Sequence, residues 1–113
     1  MAGSIPLVSV AELEQKKAIT FQFTDADGIS REGFVAWFKG EVRAYENRCK
    51  HLPLPLDYGD AHFFTPDGEH FVCSSHGAIY EPLSGKCIAG PCPGANLQAL
   101  SIRVENGMVW LLI

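Results

Sequence analysis

The sequence has no long apolar run, no leader-like N-terminus and no excess of positive charge. Its longest apolar run, Met108 to Ile113, is far too short to cross a bilayer. Residues Met1 to Val10 contain neither a basic segment followed by an apolar one nor a twin-arginine pair, so they do not read as a secretion signal. The 13 acidic residues outnumber the 9 basic ones, and the net charge of −4 argues against binding to nucleic acid or to an anionic membrane. We therefore expect a soluble, cytoplasmic protein.

No internal repeat, low-complexity tract or linker interrupts the chain. Its 113 residues suffice for one domain with a modest core, so we expect a single domain over residues 1–113. Hydrophobic residues make up 47% of the chain and charged residues 19%, which is the balance of a folded globular protein rather than a disordered one.

Short segments of alternating polarity, separated by turns that contain glycine or proline, predict an all-β fold. Ala18 to Thr24 alternates apolar with polar residues at a period of two, and Asn106-Gly107 is a strong signal for a tight hairpin. Ser9 and Glu12 have the spacing of a capping box, which predicts a short helix from Ala11 to Lys17. The predicted strands are Ile5–Val8, Ala18–Thr24, Ile29–Phe38, Val42–Asn47, Phe63-Phe64, His70–Val72, Ile79-Tyr80, Lys86–Ile88, Leu97–Val104 and Met108–Ile113. This pattern indicates an antiparallel β-sandwich or barrel.

Two short segments each pair one cysteine with one histidine. They are Cys49-Lys50-His51 and Cys73-Ser74-Ser75-His76, with 21 residues between His51 and Cys73. Two cysteines and two histidines are the ligand set of a Rieske [2Fe–2S] centre, in which histidines replace two cysteines on one iron. We therefore predict one such cluster per chain, with Cys49 and Cys73 on one iron and His51 and His76 on the other.

Two other interpretations of these four residues stay open. Zinc also accepts two Cys and two His, although zinc fingers usually pair Cys with Cys and His with His. The four residues can also be ordinary residues that bind no metal. Either case would make the protein an interaction module, zinc-bound or metal-free. A mononuclear iron site is not expected, because a facial triad needs two histidines and a carboxylate, and only His62 and His70 remain outside the motif.

The sequence after the second segment resembles the second cluster loop of the Rieske family. The residues that carry this resemblance are Gly77, Tyr80, Pro82, Ser84-Gly85 and Gly90-Pro91. The resemblance spans about residues 45 to 100 and implies a Rieske-like β fold with a cluster-binding subdomain over about residues 47–94, which carries two ligand loops. The gap of 21 residues between the two cysteine–histidine segments is longer than is common in the family. The extra length falls within Asp57 to His70, where Thr65 to Gly68 reads as a tight turn.

The resemblance also implies which residues surround the cluster. High-potential respiratory members carry a serine two residues after the second histidine and a tyrosine four residues after it, and both donate hydrogen bonds at the cluster. Those positions here are Ala78 and Tyr80. Because Ala78 cannot donate, we expect a reduction potential in the lower half of the Rieske range of about −150 to +300 mV. Alternatively, Tyr80 is a strand aromatic whose hydroxyl lies in solvent. Leu52 and Pro91 would belong to an apolar cover over the cluster.

Two cysteines remain outside the motif. Cys87 and Cys92 flank a short turn, and both a disulfide and a pair of reduced thiols fit this arrangement. The disulfide that links the ligand loops in respiratory Rieske proteins cannot form, because Leu54 and Ser75 hold the matching positions. Its absence is typical of Rieske ferredoxins.

The function implied by the resemblance is that of a soluble Rieske ferredoxin. Such a protein is a monomeric one-electron carrier between an NAD(P)H-dependent flavin reductase and a terminal oxygenase, for example an aromatic-ring dioxygenase. It binds no organic substrate and is not itself an enzyme. The second interpretation is a small Rieske-fold subunit of a larger reductase, similar to the small subunit of assimilatory nitrite reductase.

Overall fold

The computed structural model describes residues 4–24, 27–48, 63–73, 77–90 and 96–112. Within these ranges the regular secondary structure is mostly strand, with one short helix. The elements are β1 (Ser4–Ser9), α1 (Val10–Lys16), β2 (Ala18–Thr24), β3 (Ser30–Phe38), β4 (Glu41–Glu46), β5 (Phe71–Val72), β6 (Ile79–Tyr80), β7 (Cys87–Ala89), β8 (Ile102–Glu105) and β9 (Met108–Leu112). They form three antiparallel sheets with strand orders β1-β9-β8, β2-β3-β4 and β5-β6-β7, here called the first, central and third sheets. The predicted all-β antiparallel fold is confirmed.

The helix α1 begins and ends where its capping residues place it. The Ser9 hydroxyl accepts a hydrogen bond of 3.1 Å from the amide of Glu12, as a capping box requires. At the other end Lys17 has a positive φ of 73°, and its amide donates to the Leu13 carbonyl at 2.7 Å. The predicted helix is therefore confirmed, shifted by one residue. Leu13 is buried and anchors the helix to the core.

The central sheet has apolar side chains on both of its faces. Successive residues of a strand point to opposite faces, and both Phe34 and Val35 of β3 are fully buried. Phe34 packs in the same cluster as Tyr45 of β4 and residues of the third sheet. Val35 packs with Ala44 and with residues of the first sheet and α1. The central sheet thus lies between two cores, and the core on the Phe34 side borders the third sheet.

One predicted strand, Leu97–Val104, is wrong in its first half. Only Ile102–Glu105 forms a strand of the first sheet. Before that point the chain runs along β4, where the amide of Leu100 donates to the Ala44 carbonyl at 2.9 Å. Because the segment passes from one sheet to another, its alternation does not belong to one continuous strand. Val104, an apolar residue of the predicted strand, is half exposed on β8.

The first residue of the second cysteine–histidine segment, Cys73, directly follows β5 of the third sheet. It is preceded by the predicted hairpin, in which the Val72 amide donates to the Phe63 carbonyl at 2.8 Å. The predicted tight turn of that hairpin closes with a bond of 2.8 Å from the Gly68 amide to the Thr65 carbonyl. The third sheet lies within the range assigned to a cluster-binding subdomain, residues 47–94, and that division of the chain stays a prediction.

Candidate metal centre

Cys73 is the one predicted ligand that lies among the described residues. Cys49, His51 and His76 lie outside the described residues, as do Leu52 and Pro91 of the predicted apolar cover. The ligand set therefore stays a prediction, and the structure is informative about what surrounds Cys73 and what precedes Cys49. Within the described ranges no three His, Cys, Asp or Glu side chains converge as they would around a metal ion.

Cys73 directly follows β5, where the chain leaves the strand for the connection to β6. Its amide donates to the Ala78 carbonyl at 2.8 Å, and its carbonyl accepts from the Gly77 amide at 2.8 Å. Gly77 has a positive φ of 73°, a conformation that glycine adopts without a steric penalty. These bonds close the short loop that carries the C-x-x-H segment, so Cys73 is held through its own backbone.

The surroundings of Cys73 are apolar. Cys73, Ala78 and Tyr80 each have a relative exposure of 0%, and they belong to one buried cluster with Phe71 and Cys87. The alternative in which the Tyr80 hydroxyl lies in solvent is therefore wrong, because the whole side chain is buried. Ala78 brings only a methyl group to this core, as the sequence predicts. This side of the candidate site is therefore apolar and shielded from solvent.

Aromatic contacts hold β5 and the nearby Phe63 against the central sheet. The ring of Phe34 lies 4.1 Å from that of Phe63 in a stacked arrangement and 5.2 Å from that of Phe71 in an edge-to-face arrangement. Tyr45 meets Phe71 edge-on at 5.9 Å. Such pairs add about 0.5–1.5 kcal/mol each beyond their buried area. Since Phe71 precedes Cys73 by two residues, this packing fixes the strand that carries the cysteine.

A polar contact at the same interface involves Tyr45. Its hydroxyl donates to the carbonyl oxygen of Pro82 at 2.8 Å, in a buried position. Burial raises the pKa of Tyr45, and the nearby Arg43 guanidinium partly opposes this shift. The phenol therefore stays protonated and keeps donating at neutral pH.

A buried amide lies just before the first candidate ligand segment. Asn47 is only 5% exposed, and its side-chain Nδ2 donates to Oε1 of Glu32 at 3.1 Å. Its backbone amide donates to the Glu32 carbonyl at 2.9 Å. Both bonds attach the end of β4 to β3. Asn47 precedes Cys49 by two residues. Sequence reasoning missed this role, because an asparagine at the end of a predicted strand gives no sign of whether it is buried.

The remaining cysteine and histidine predictions have mixed outcomes. Cys87 is buried, with its Sγ 3.3 Å from the Ala89 carbonyl oxygen. Because Cys92 lies outside the described residues, the choice between a disulfide and reduced thiols stays open. His70, outside the motif, is partly buried beside the 65–68 turn, whereas His62 lies outside the described residues.

Comparison with known proteins identifies relatives of this fold. A family model described as the Rieske [2Fe–2S] domain matches residues 3–104. The oxidoreductase NdmD of Pseudomonas putida is 32% identical over 78 residues, which cover 63% of this chain and 12% of NdmD. The ferredoxin of carbazole 1,9a-dioxygenase from Nocardioides aromaticivorans IC177 has a similar structure, with a TM-score of 0.73 and 22% identity over 98% of both chains.

The same fold also occurs as one part of larger chains. The terminal oxygenase of carbazole 1,9a-dioxygenase from Novosphingobium sp. KA1 matches with a TM-score of 0.77 and 22% identity. The match covers 98% of this chain but only 30% of the oxygenase. The chain thus spans about a third of that oxygenase and about an eighth of NdmD. Among the described residues, no helix has the length and apolarity needed to span a membrane.

Proposed function

The chain belongs to the Rieske [2Fe–2S] domain family, and from this premise we propose that it is a one-electron carrier of an oxygenase system. Its cofactor is a Rieske [2Fe–2S] cluster. The observation that carries the proposal is the fully buried Cys73 at the head of the β5–β6 loop, within a family whose cluster is ligated by two Cys and two His. The cluster supplies one-electron chemistry when bound, with one iron alternating between the ferric and ferrous states.

We assign the ligands to the two cysteine–histidine segments. Cys49 and Cys73 supply thiolates to one iron, and His51 and His76 supply imidazole nitrogens to the other. The described part of the site fits this donor set. Cys73 is shielded from water, is held by two backbone hydrogen bonds and has apolar neighbours, which is the setting in which a cluster sulfur is protected from hydrolysis.

We assign the electron donor and the electron acceptor by the class of protein to which each belongs. NAD(P)H delivers two electrons to a flavin reductase, so two copies of this protein are reduced for each NAD(P)H oxidised. Each copy then passes one electron to a terminal oxygenase and returns to its oxidised state. The similar ferredoxin from Nocardioides aromaticivorans IC177, matched over 98% of both chains, supports the carrier role. The net charge of −4 favours partners with a positive docking patch, since complementary charge steers the encounter.

A second candidate function has one observation in its favour. Both NdmD and the Novosphingobium oxygenase contain this domain as a minor part of a longer chain. A domain of this kind also serves as a fixed component of a larger oxidoreductase, in the manner of a reductase small subunit. A fixed component exchanges electrons inside a permanent assembly, whereas a carrier must dissociate between its donor and its acceptor.

Cysteine variants test the ligand assignment. Cys73→Ser is compared with Cys87→Ser, because both side chains are buried in the same cluster and differ in their proposed role. We expect Cys73→Ser to lose most of its iron and acid-labile sulfide and Cys87→Ser to keep both near the wild-type content. Equal retention of iron by the two variants would contradict the assignment of Cys73.

Sedimentation and coulometric titration of the full chain separate the two functions. A carrier sediments as a monomer and takes up one electron per cluster reversibly. It binds its oxygenase weakly, with affinity that falls as salt rises. Isolation from its native source at fixed stoichiometry with a larger reductase, resistant to high salt, would instead establish the permanent subunit.

A further inference from the structure

We propose that Gly90 is a positioning residue for the second ligand segment. Because Gly90 has no side chain, the chain leaving β7 rests directly on the backbone of Gly77 and Ala78. This inference rests on the proposed function, since it concerns the loop that carries Cys73 and His76. It assigns to Gly90 a contact that the C-x-x-H spacing does not reveal.

A β-bulge directs the end of β7 toward this loop. In the pairing of β6 with β7, Tyr80 lies opposite Cys87 while the adjacent Ile79 lies opposite Ala89. Ile88 is therefore the extra residue on β7, and its side chain is 44% exposed. Bulges of this kind bend a strand and redirect the residues that follow. Here the residues that follow the bulged Ile88 are Ala89 and then Gly90.

The space at Gly90 is too small for any side chain. A Cβ placed there would lie 2.7 Å from Cα of Ala78, 3.1 Å from the Gly77 carbonyl oxygen and 3.2 Å from the Ala78 nitrogen. All three are backbone atoms, so no side-chain rotation can relieve the overlap. The φ of Gly90 is +92°, which an L-residue with a side chain also disfavours. A substitution therefore pushes β7 and the loop apart.

Any such displacement acts on a segment that is bonded to Cys73. The Ala78 carbonyl accepts from the Cys73 amide, and the Gly77 amide donates to the Cys73 carbonyl, each at 2.8 Å. Gly77 also follows His76 directly in the sequence. The close backbone contact at Gly90 therefore affects the position of the loop that supplies both proposed ligands of the second segment.

The chain offers a matched control for the backbone strain. Gly40, in the turn between β3 and β4, has a φ of +84°, and a Cβ there would meet nothing within 4 Å. Gly40→Ala therefore incurs a similar conformational cost without an overlap. A difference between Gly90→Ala and Gly40→Ala isolates the contact with the loop.

The experiment compares the two variants as cluster-loaded full chains. Cluster loss is followed by the decay of visible absorption in the presence of a chelator, and the reduced proteins are examined by EPR. We expect Gly90→Ala to lose its cluster about tenfold faster than Gly40→Ala, the scale on which residues that support metal ligands act. The g values of its remaining clusters should shift, whereas Gly40→Ala keeps the wild-type spectrum. Equal loss rates with unshifted g values in Gly90→Ala would overturn the proposal.

A second pair of variants decides the question if Gly90→Ala does not fold. Ile88→Gly loosens the bulge without adding an atom, and Val104→Gly makes the same type of change at an equally exposed strand position. Faster cluster loss from Ile88→Gly than from Val104→Gly supports the proposal, and equal rates overturn it. The proposed function itself fails separately, if wild-type protein shows no signal of mixed Cys/His ligation.

Discussion

The hydroxyl of Tyr45 donates a buried hydrogen bond of 2.8 Å to the carbonyl oxygen of Pro82. This bond joins β4 of the central sheet to the turn between β6 and β7 of the third sheet. The turn packs closely around the tyrosine, because a Cβ at Gly85 would lie 2.8 Å from its ring. The sheet that carries Cys73 is therefore attached to the rest of the protein by a specific polar contact as well as by apolar packing.

Removal of the Tyr45 hydroxyl tests this attachment. Tyr45→Phe keeps the ring and leaves the buried Pro82 carbonyl without its donor, so we expect the free energy of unfolding to fall by about 1–3 kcal/mol. Urea denaturation of the wild type and the variant measures the change. Ser84→Ala is the control, because it removes only exposed hydrogen bonds of the same turn: Ser84 donates to Glu81 at 2.9 Å and accepts from the Lys86 amide at 3.3 Å. If both variants are equally stable, the Tyr45 bond does not contribute.

The raised pKa of Tyr45 predicts a loss of stability at alkaline pH. In the folded state burial holds the phenol protonated above its ordinary pKa, whereas the unfolded chain ionises near pH 10. The unfolded state thus binds fewer protons in this range, and the stabilising contribution disappears as the pH rises above 10. Denaturation from pH 8 to 11 should show a steeper decline for the wild type than for Tyr45→Phe. Parallel curves would contradict a raised pKa at this residue.

Tyr80 is predicted to influence the reduction potential. Its side chain is fully buried in the same cluster as Cys73. In the high-potential respiratory members of the Rieske family a tyrosine at this position donates to the sulfur of a ligand cysteine, and we propose the same contact here. Hydrogen bonds to sulfur stabilise the reduced state. We therefore expect Tyr80→Phe to lower the potential in a redox titration, while Tyr45→Phe, whose lost hydroxyl is bonded to the Pro82 carbonyl, leaves it unchanged. An unaltered potential in Tyr80→Phe would show that the ring only fills space.

Asn47 is predicted to hold the first ligand segment in place. Asn47→Ala leaves the Glu32 carboxylate without its amide donor and removes a buried side chain, so we expect a loss of about 1–3 kcal/mol in the free energy of unfolding. Iron content should fall as well, since Cys49 follows two residues later. Gln98→Ala is the matched control, because that exposed amide makes a long bond of 3.4 Å to the Ala99 carbonyl. Similar losses from both variants would rule out a special role for Asn47.

Local patterns predicted the elements of this fold well. The capping box at Ser9 and the hairpin at Asn106-Gly107 each depend on a few adjacent residues, and each forms as expected. The Leu97–Val104 strand failed because tertiary pairing divides it between β4 and the first sheet. No local pattern contains that information.

The candidate site shows the same division. The resemblance to the Rieske family, carried by nearby residues such as Gly77, implied a loop at Cys73, since that signal is local. The contacts of Asn47, Tyr45 and Gly90 join residues far apart in sequence, and their roles depend on which strands become neighbours. Sequence reasoning could not assign them without the sheet order.

The central claim is that this chain holds a [2Fe–2S] cluster through two cysteines and two histidines. EPR of the purified protein before and after reduction with dithionite, with iron and zinc assayed in parallel, tests it most directly. We predict a silent oxidised form, two irons per chain and a rhombic reduced spectrum whose mean g value lies clearly below that of an all-cysteine cluster. Zinc in place of iron, or a reduced spectrum typical of all-cysteine ligation, would contradict the account.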